Sequence, residues 1–205
     1  MKRMMSALIV IASLAGAAPA LAQDAAVGPG RVEISLIPGG FAYFTEQKDA
    51  REPSFGNYDL GAALGVNFTR YVGVEGEVSG ALGVSQSLPF GGVTADRTSP
   101  HLLNYTGNLV VSAANRSSVV PYVTGGLGGL TLFETTDLGI DDAQTFLTGN
   151  VGGGVKWYAP NNRWGLRGDY RFGATQSKDS APEFFGRETR YVHRIYAAVI
   201  INTAR

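Results

Sequence analysis

From Trp164, every second residue is apolar or small (Trp164, Leu166, Gly168, Tyr170, Phe172), while the residues between include Arg167, Asp169 and Arg171. A two-residue period belongs to a β-strand, whose side chains alternate between opposite faces. The same alternation recurs in eight segments. They are Arg31–Phe44, Tyr58–Thr69, Val72–Leu82, Leu102–Ala114, Val119–Phe133, Thr145–Tyr158, Trp164–Gly173 and Tyr191–Thr203. No segment after the first residues shows the 3.6-residue period of an amphipathic helix. The connections alternate as well. Those after the second, fourth and sixth strands are short; those after the first, third, fifth and seventh are long and polar, over 45–57, 83–101, 134–144 and 174–190.

A soluble sandwich would turn the oily face inward, whereas a membrane barrel turns it to lipid and keeps polar side chains in the lumen. Three features tilt the choice towards the membrane barrel, with a soluble lipid-binding β-barrel of the periplasm as the rival fold. Segments of ten residues or more suit a tilted span of about 9–11 residues, against about five or six in globular sheets. Aromatic residues gather at strand ends, as in the girdles of membrane barrels: Tyr43, Phe44, Tyr58, Phe68, Tyr71, Trp157, Tyr158, Trp164 and Tyr191. The polar face carries both signs of charge: Glu33, Glu75, Glu77, Lys156, Arg167, Asp169, Arg171 and Arg194. A barrel of about eight strands has a lumen that side chains fill, and charges packed there must pair because an isolated buried ion is too costly. These residues are expected to form an internal salt-bridge network.

The first 22 residues stand apart from this pattern. Lys2 and Arg3 precede a short apolar run, and Ala20-Leu21-Ala22 supplies a small-residue cleavage site, so residues 1–22 are predicted to be a secretory signal peptide and 23–205 the barrel domain. The 28 glycines, about twice the usual share of roughly 7%, fit strands that bend and pack closely. A formal net charge of zero argues against nucleic acid as a partner. The lack of cysteine excludes disulfides and thiolate metal sites.

The stretches "YTGNLVVS" (Tyr105–Ser112), "PYVTGGLGGLTL" (Pro121–Leu132) and "GNVGGGVKWYAPNNRWGLRGDYR" (Gly149–Arg171) resemble the outer-membrane protein β-barrel domain family, the small OmpX-like and OmpA-like barrels. The resemblance implies an all-β, eight-stranded antiparallel up-and-down transmembrane β-barrel, in the outer membrane of a Gram-negative bacterium after export through the inner membrane. It implies outer-membrane lipid, lipopolysaccharide and the barrel-assembly machinery as partners. Relatives act as anchors, adhesins, defence factors or narrow pores. OmpA-like proteins add a soluble domain that holds peptidoglycan; no such module is expected here. Thr203 stands where the family usually places a final aromatic.

Candidate chemistry is sparse. The two histidines, His101 and His193, have no serine or metal-ligand partners at suitable spacing. The acidic run Asp137–Gln144 lacks the spacing of a calcium loop. The glycine runs sit within strands and not before a helix, so they are read as curvature and not as phosphate cradles. The expectation is a non-enzyme without cofactor or metal, with a structural or surface-interaction role. Any extracellular partner would bind through the long loops, where Phe184 and Phe185 form the candidate contact patch. The alternatives are a narrow porin-like channel, favoured by small inward residues such as Gly61, Ala63, Gly65 and Gly73, and a lipid-modifying enzyme.

Overall fold

Each of the eight alternating segments forms a strand, and the strands close on themselves. The computed structural model describes residues 27–45, 54–90, 93–135, 142–176 and 189–204. The strands are β1 (Val32–Phe44), β2 (Phe55–Asn67), β3 (Val72–Gly83), β4 (Ser85–Phe90), β5 (Val93–Thr98), β6 (Leu102–Ser112), β7 (Val119–Leu132), β8 (Gln144–Tyr158), β9 (Trp164–Thr175) and β10 (Arg190–Ala204). Around the barrel the order is β1, β2, β3, β6, β7, β8, β9, β10 and back to β1, with every ladder antiparallel. Closure leaves the barrel no sheet edge, as hydrocarbon demands of a sheet that spans it.

The alternation decides what faces where. On β9, Leu166 is 49% exposed and its neighbour Arg167 is 2% exposed. On β3, Val74 and Val78 face out while Glu75, Glu77 and Ser79 are buried. The apolar set meets lipid and the ionic set fills the lumen.

The short connections are tight. Between β2 and β3 the Phe68 and Thr69 amides donate to Val72 O at 3.0 and 3.1 Å, and Thr69 Oγ1 accepts from Val72 N. Between β8 and β9, Asn162 adopts φ 52°, the left-handed region that asparagine tolerates better than most residues.

Two features depart from the expected pattern. The second of the long connections, residues 83–101, is not a plain loop: β4 and β5 form a hairpin that continues the β3–β6 ribbon past the barrel rim. Phe90 pairs with Val93, which makes the connection the two-residue Gly91-Gly92, a composition typical of hairpins. Pro100, lacking an amide hydrogen, sits where the β3–β6 ladder gives way to the hairpin. The hairpin is fixed to β2 by the Gln86 side chain, which mimics a strand: Gly56 N donates to Gln86 Oε1 at 3.0 Å and Gln86 Nε2 donates to Gly56 O at 2.8 Å.

The second feature is a break within β1. Its ladders shift register between Leu36 and Gly39 on the β10 side and between Ile37 and Gly40 on the β2 side. Pro38 has no amide to give to a ladder. Its carbonyl accepts from Tyr58 Oη at 2.7 Å instead, and the Tyr58 ring lies over Gly39, where any side chain would collide with it.

Candidate functional site: the lumen and its two mouths

The inward charges come from six strands, β2 and β3 on one side, β8, β9 and β10 on the other, and β1 between. β9 lies diametrically opposite β3 in the barrel order. Arg167 Nη1 of β9 reaches Glu75 Oε2 of β3 at 2.5 Å, and its Nη2 reaches Asp169 Oδ2 at 2.6 Å. Arg171 contacts Glu75 at 2.8 Å, Asp169 at 3.1 Å and Glu77 at 3.3 Å. Arg194 of β10 continues the chain to Glu77 and Asp59, both at 2.8 Å. A separate pair, Lys156 with Glu33, closes at 2.5 Å nearer the short turns. The guanidinium of Arg167 stands 5.0 Å from the Tyr122 ring centroid and 5.7 Å from that of Tyr196, and Tyr122 donates to Asp169 while accepting from Arg167 Nε. The network thus crosses the full width of the lumen.

Among the described residues five carboxylates (Glu33, Asp59, Glu75, Glu77, Asp169) and five cationic side chains (Lys156, Arg167, Arg171, Arg190, Arg194) are buried. Among the described residues the buried charges balance, and low dielectric makes each contact strong only while it stays paired.

Both mouths are closed. At the loop end an apolar cluster fills the interior, including Phe44, Phe55, Leu102, Leu132 and Phe146, with Leu88 of the β4–β5 hairpin folded into it. Arg190 stacks over Phe55 at 4.8 Å. At the turn end, the segment before β1 crosses the opening: Gly28 N donates to Asn162 Oδ1 at 2.9 Å, Gly30 O accepts from Asn67 Nδ2 at 2.7 Å, and Val27 packs on Val120, Tyr158 and Ile200.

The structure places all eight expected lumen residues, Glu33, Glu75, Glu77, Lys156, Arg167, Asp169, Arg171 and Arg194, inside the barrel. Of the expected girdle residues, Tyr43, Tyr58 and Tyr191 are exposed towards the loop end, and Phe68, Tyr71 and Trp164 towards the turns. Trp157, half-buried, packs edge-on against Trp164 at 5.4 Å. Tyr158 is a correction: it is fully buried in the lumen and donates to Glu33 Oε1 at 2.7 Å. It shares the parity of Lys156, two residues earlier, and so faces in. Phe44 is corrected on the same ground: it shares the parity of Ala42 and stacks on Phe55 inside at 4.6 Å. Asp59, Tyr122 and Tyr196 were missed, though each occupies an inward position by alternation. Phe184 and Phe185 and residues 1–22 lie outside the described residues. Among the described residues no group of three or more His, Cys, Asp or Glu is placed to hold a metal ion.

A closed eight-stranded antiparallel barrel with a lipid-facing apolar surface and an ionic lumen is the architecture of a small outer-membrane barrel. The sequence profile of the outer membrane protein beta-barrel domain matches residues 8–189, and the chain belongs to that family. It is thus an outer-membrane protein of a Gram-negative bacterium. No curated protein sequence matches it significantly. Among solved structures it is similar to Neisserial surface protein A, with TM-score 0.59 and 13% identity over 84% of this chain and 97% of that one. It is also similar to OprG of Pseudomonas aeruginosa, with TM-score 0.54 and 14% identity over 88% of this chain and 100% of that one. At these identities the likeness is one of fold.

Proposed function

We propose that the protein is a filled, non-conducting barrel without enzymatic activity, whose role is structural or is exerted through the face it shows outside the cell. The observation that carries this reading is the contact of Arg167 and Arg171 with Glu75 and Glu77 on the opposite wall. A channel needs a continuous wet path, and moving these side chains aside would strand buried charges. The rim adds a rigid display element, the β4–β5 hairpin, and recognition commonly resides in loops carried by such scaffolds. In planar lipid bilayers the purified barrel is expected to give no unitary current steps. Regular steps from the folded, heat-modifiable form would make it a channel.

The route to the outer membrane in this reading begins with a signal peptide removed after Ala22, followed by insertion through the barrel-assembly machinery. Amino-terminal sequencing of protein from purified outer membranes is expected to begin at Gln23. A sequence beginning at Met1 would mean that the leader is retained.

A further inference from the structure

Each of the three short turns carries one arginine: Arg70 between β2 and β3, Arg116 between β6 and β7, and Arg163 between β8 and β9. Arg31 stands at the same end, just before β1 and beside the seam with β10. Around the mouth about two strand widths separate each from the next, roughly 10 Å at about 4.8 Å per strand. All four side chains are exposed, and among the described residues none has an ion-pair partner. Residues 68–71, 113–118 and 159–163 contain no Asp or Glu. The exposed carboxylates among the described residues, Asp96, Glu134 and Asp142, lie at the loop end. The backbones of this rim are fixed. Arg31 O accepts from Asn67 N and Arg163 O from Asn202 N, both at 2.9 Å. Asn115 braces the turn of Arg116, accepting from Ser117 N at 2.7 Å and donating to Val119 O at 3.1 Å. Arg70 Nη2 donates to Asn115 O at 2.8 Å, so its guanidinium reaches across to the next turn and not out to lipid. The segment before β1 seals the opening between these points, which leaves a continuous cationic face.

We propose that this rim docks on the cell wall beneath the membrane, its four arginines gripping carboxylates of the peptidoglycan peptides. The short turns of an outer-membrane barrel face the periplasm, and the wall there is a polymer that repeats carboxylates. A guanidinium fork takes a carboxylate through two parallel N–H donors. Cations spread around a whole mouth match a lattice of carboxylates, whereas one compact anion reaches a single arginine. Turns already braced by hydrogen bonds lose little further freedom on docking. The rival anions are phosphates of the inner leaflet, level with the exposed girdle residues Phe68, Tyr71 and Trp164. Arg70 turns away from that level, towards Asn115, three residues past the end of β6. The inference rests on the outer-membrane placement and is independent of whether the lumen conducts.

The test is co-sedimentation of the full barrel, in phosphatidylcholine nanodiscs, with purified peptidoglycan sacculi. The variant Arg31→Gln/Arg70→Gln/Arg116→Gln/Arg163→Gln is expected to bind about eightyfold more weakly, roughly threefold for each exposed ion pair lost. Arg97→Gln, which removes an exposed arginine at the loop end, should bind like the unaltered protein. Amidating the carboxylates of the sacculi should bring the unaltered barrel down to the level of the quadruple variant. Heat-modifiable migration reports folding, and the amidation arm decides the matter with the unaltered protein if the quadruple variant does not fold. Equal binding by the unaltered and quadruple-variant barrels overturns the proposal, as does undiminished binding to amidated sacculi. An equal loss for Arg97→Gln overturns it too, since attachment would then follow net charge and not the turn-side rim. So does binding that vanishes once phosphatidylglycerol is added to the nanodiscs, because headgroup phosphates would then hold the arginines.

Discussion

Replacing Arg167 by alanine should destabilise the barrel by about 3–5 kcal/mol, read as a shift in urea unfolding in detergent micelles. Arg167 is the hub of the lumen: it bonds Glu75 at 2.5 Å and Asp169 at 2.6 Å, and its side chain has no exposed surface. Truncation leaves two carboxylates buried with Arg171 as their remaining charged partner in the cluster. The penalty arises from those stranded anions more than from the lost attraction, because a buried pair gains little net energy over its desolvation. Removing Glu75 as well restores the count of positive and negative charges. The double variant Arg167→Ala/Glu75→Ala is therefore expected to lose less than the sum of the two single changes, with a coupling of about 0.5–3 kcal/mol. A loss below about 0.5 kcal/mol for Arg167→Ala, the usual effect of a surface substitution, would place this side chain in water.

An arginine on the other face has an opposite origin of cost. Val151 lies midway along β8, points outward with 60% exposure and pairs with Gly125 and Phe172. Val151→Arg is expected to cost about 2–4 kcal/mol, the penalty for a cation at the midplane of a barrel's lipid face. Leu166→Arg supplies the internal comparison. Leu166 pairs with Trp157 and stands two residues from Trp164, at the level of the turn-side girdle. There the new guanidinium can reach the interface, and the cost should fall to about 1 kcal/mol or less. Refolding into lipid vesicles with urea titration measures both. Equal, negligible costs would mean that this surface faces water.

Alternation made most of the barrel legible. A period of two over ten or more residues fixed the eight spans and the parity of each, and with parity came the inward set from Glu33 to Arg194. Residue identity misled where it was weighed above parity. Tyr158 and Phe44 read as girdle members because aromatic residues gather there, yet Tyr158 follows Lys156 by two and Phe44 follows Ala42 by two, and both Lys156 and Ala42 are buried. Asp59 was hidden by the apolar partners around it. Tyr122 and Tyr196 look apolar in a sequence but carry a hydroxyl that a charged lumen can use. The β4–β5 hairpin buries little beyond Leu88, with exposed or half-exposed residues throughout β5, so β5 carries no alternation to find. Its one local signal was Gly91-Gly92. The break at Pro38 was legible as a proline. Its effect on register was not, because both ladders shift by amounts set by neighbouring strands.

The ladder between β1 and β10 pairs Val32 with Ala204 and Phe44 with Val192, the residues most distant along the chain. It is the last seam that a growing sheet can sew. Until it is sewn, an open curl of strands bares two rows of amides, which in water invite stray chains and in hydrocarbon cost several kcal/mol each. The half-made object is thus far less tolerable than either the unfolded chain or the finished cylinder, and the interval before closure is when a nascent copy most needs a chaperone's grip.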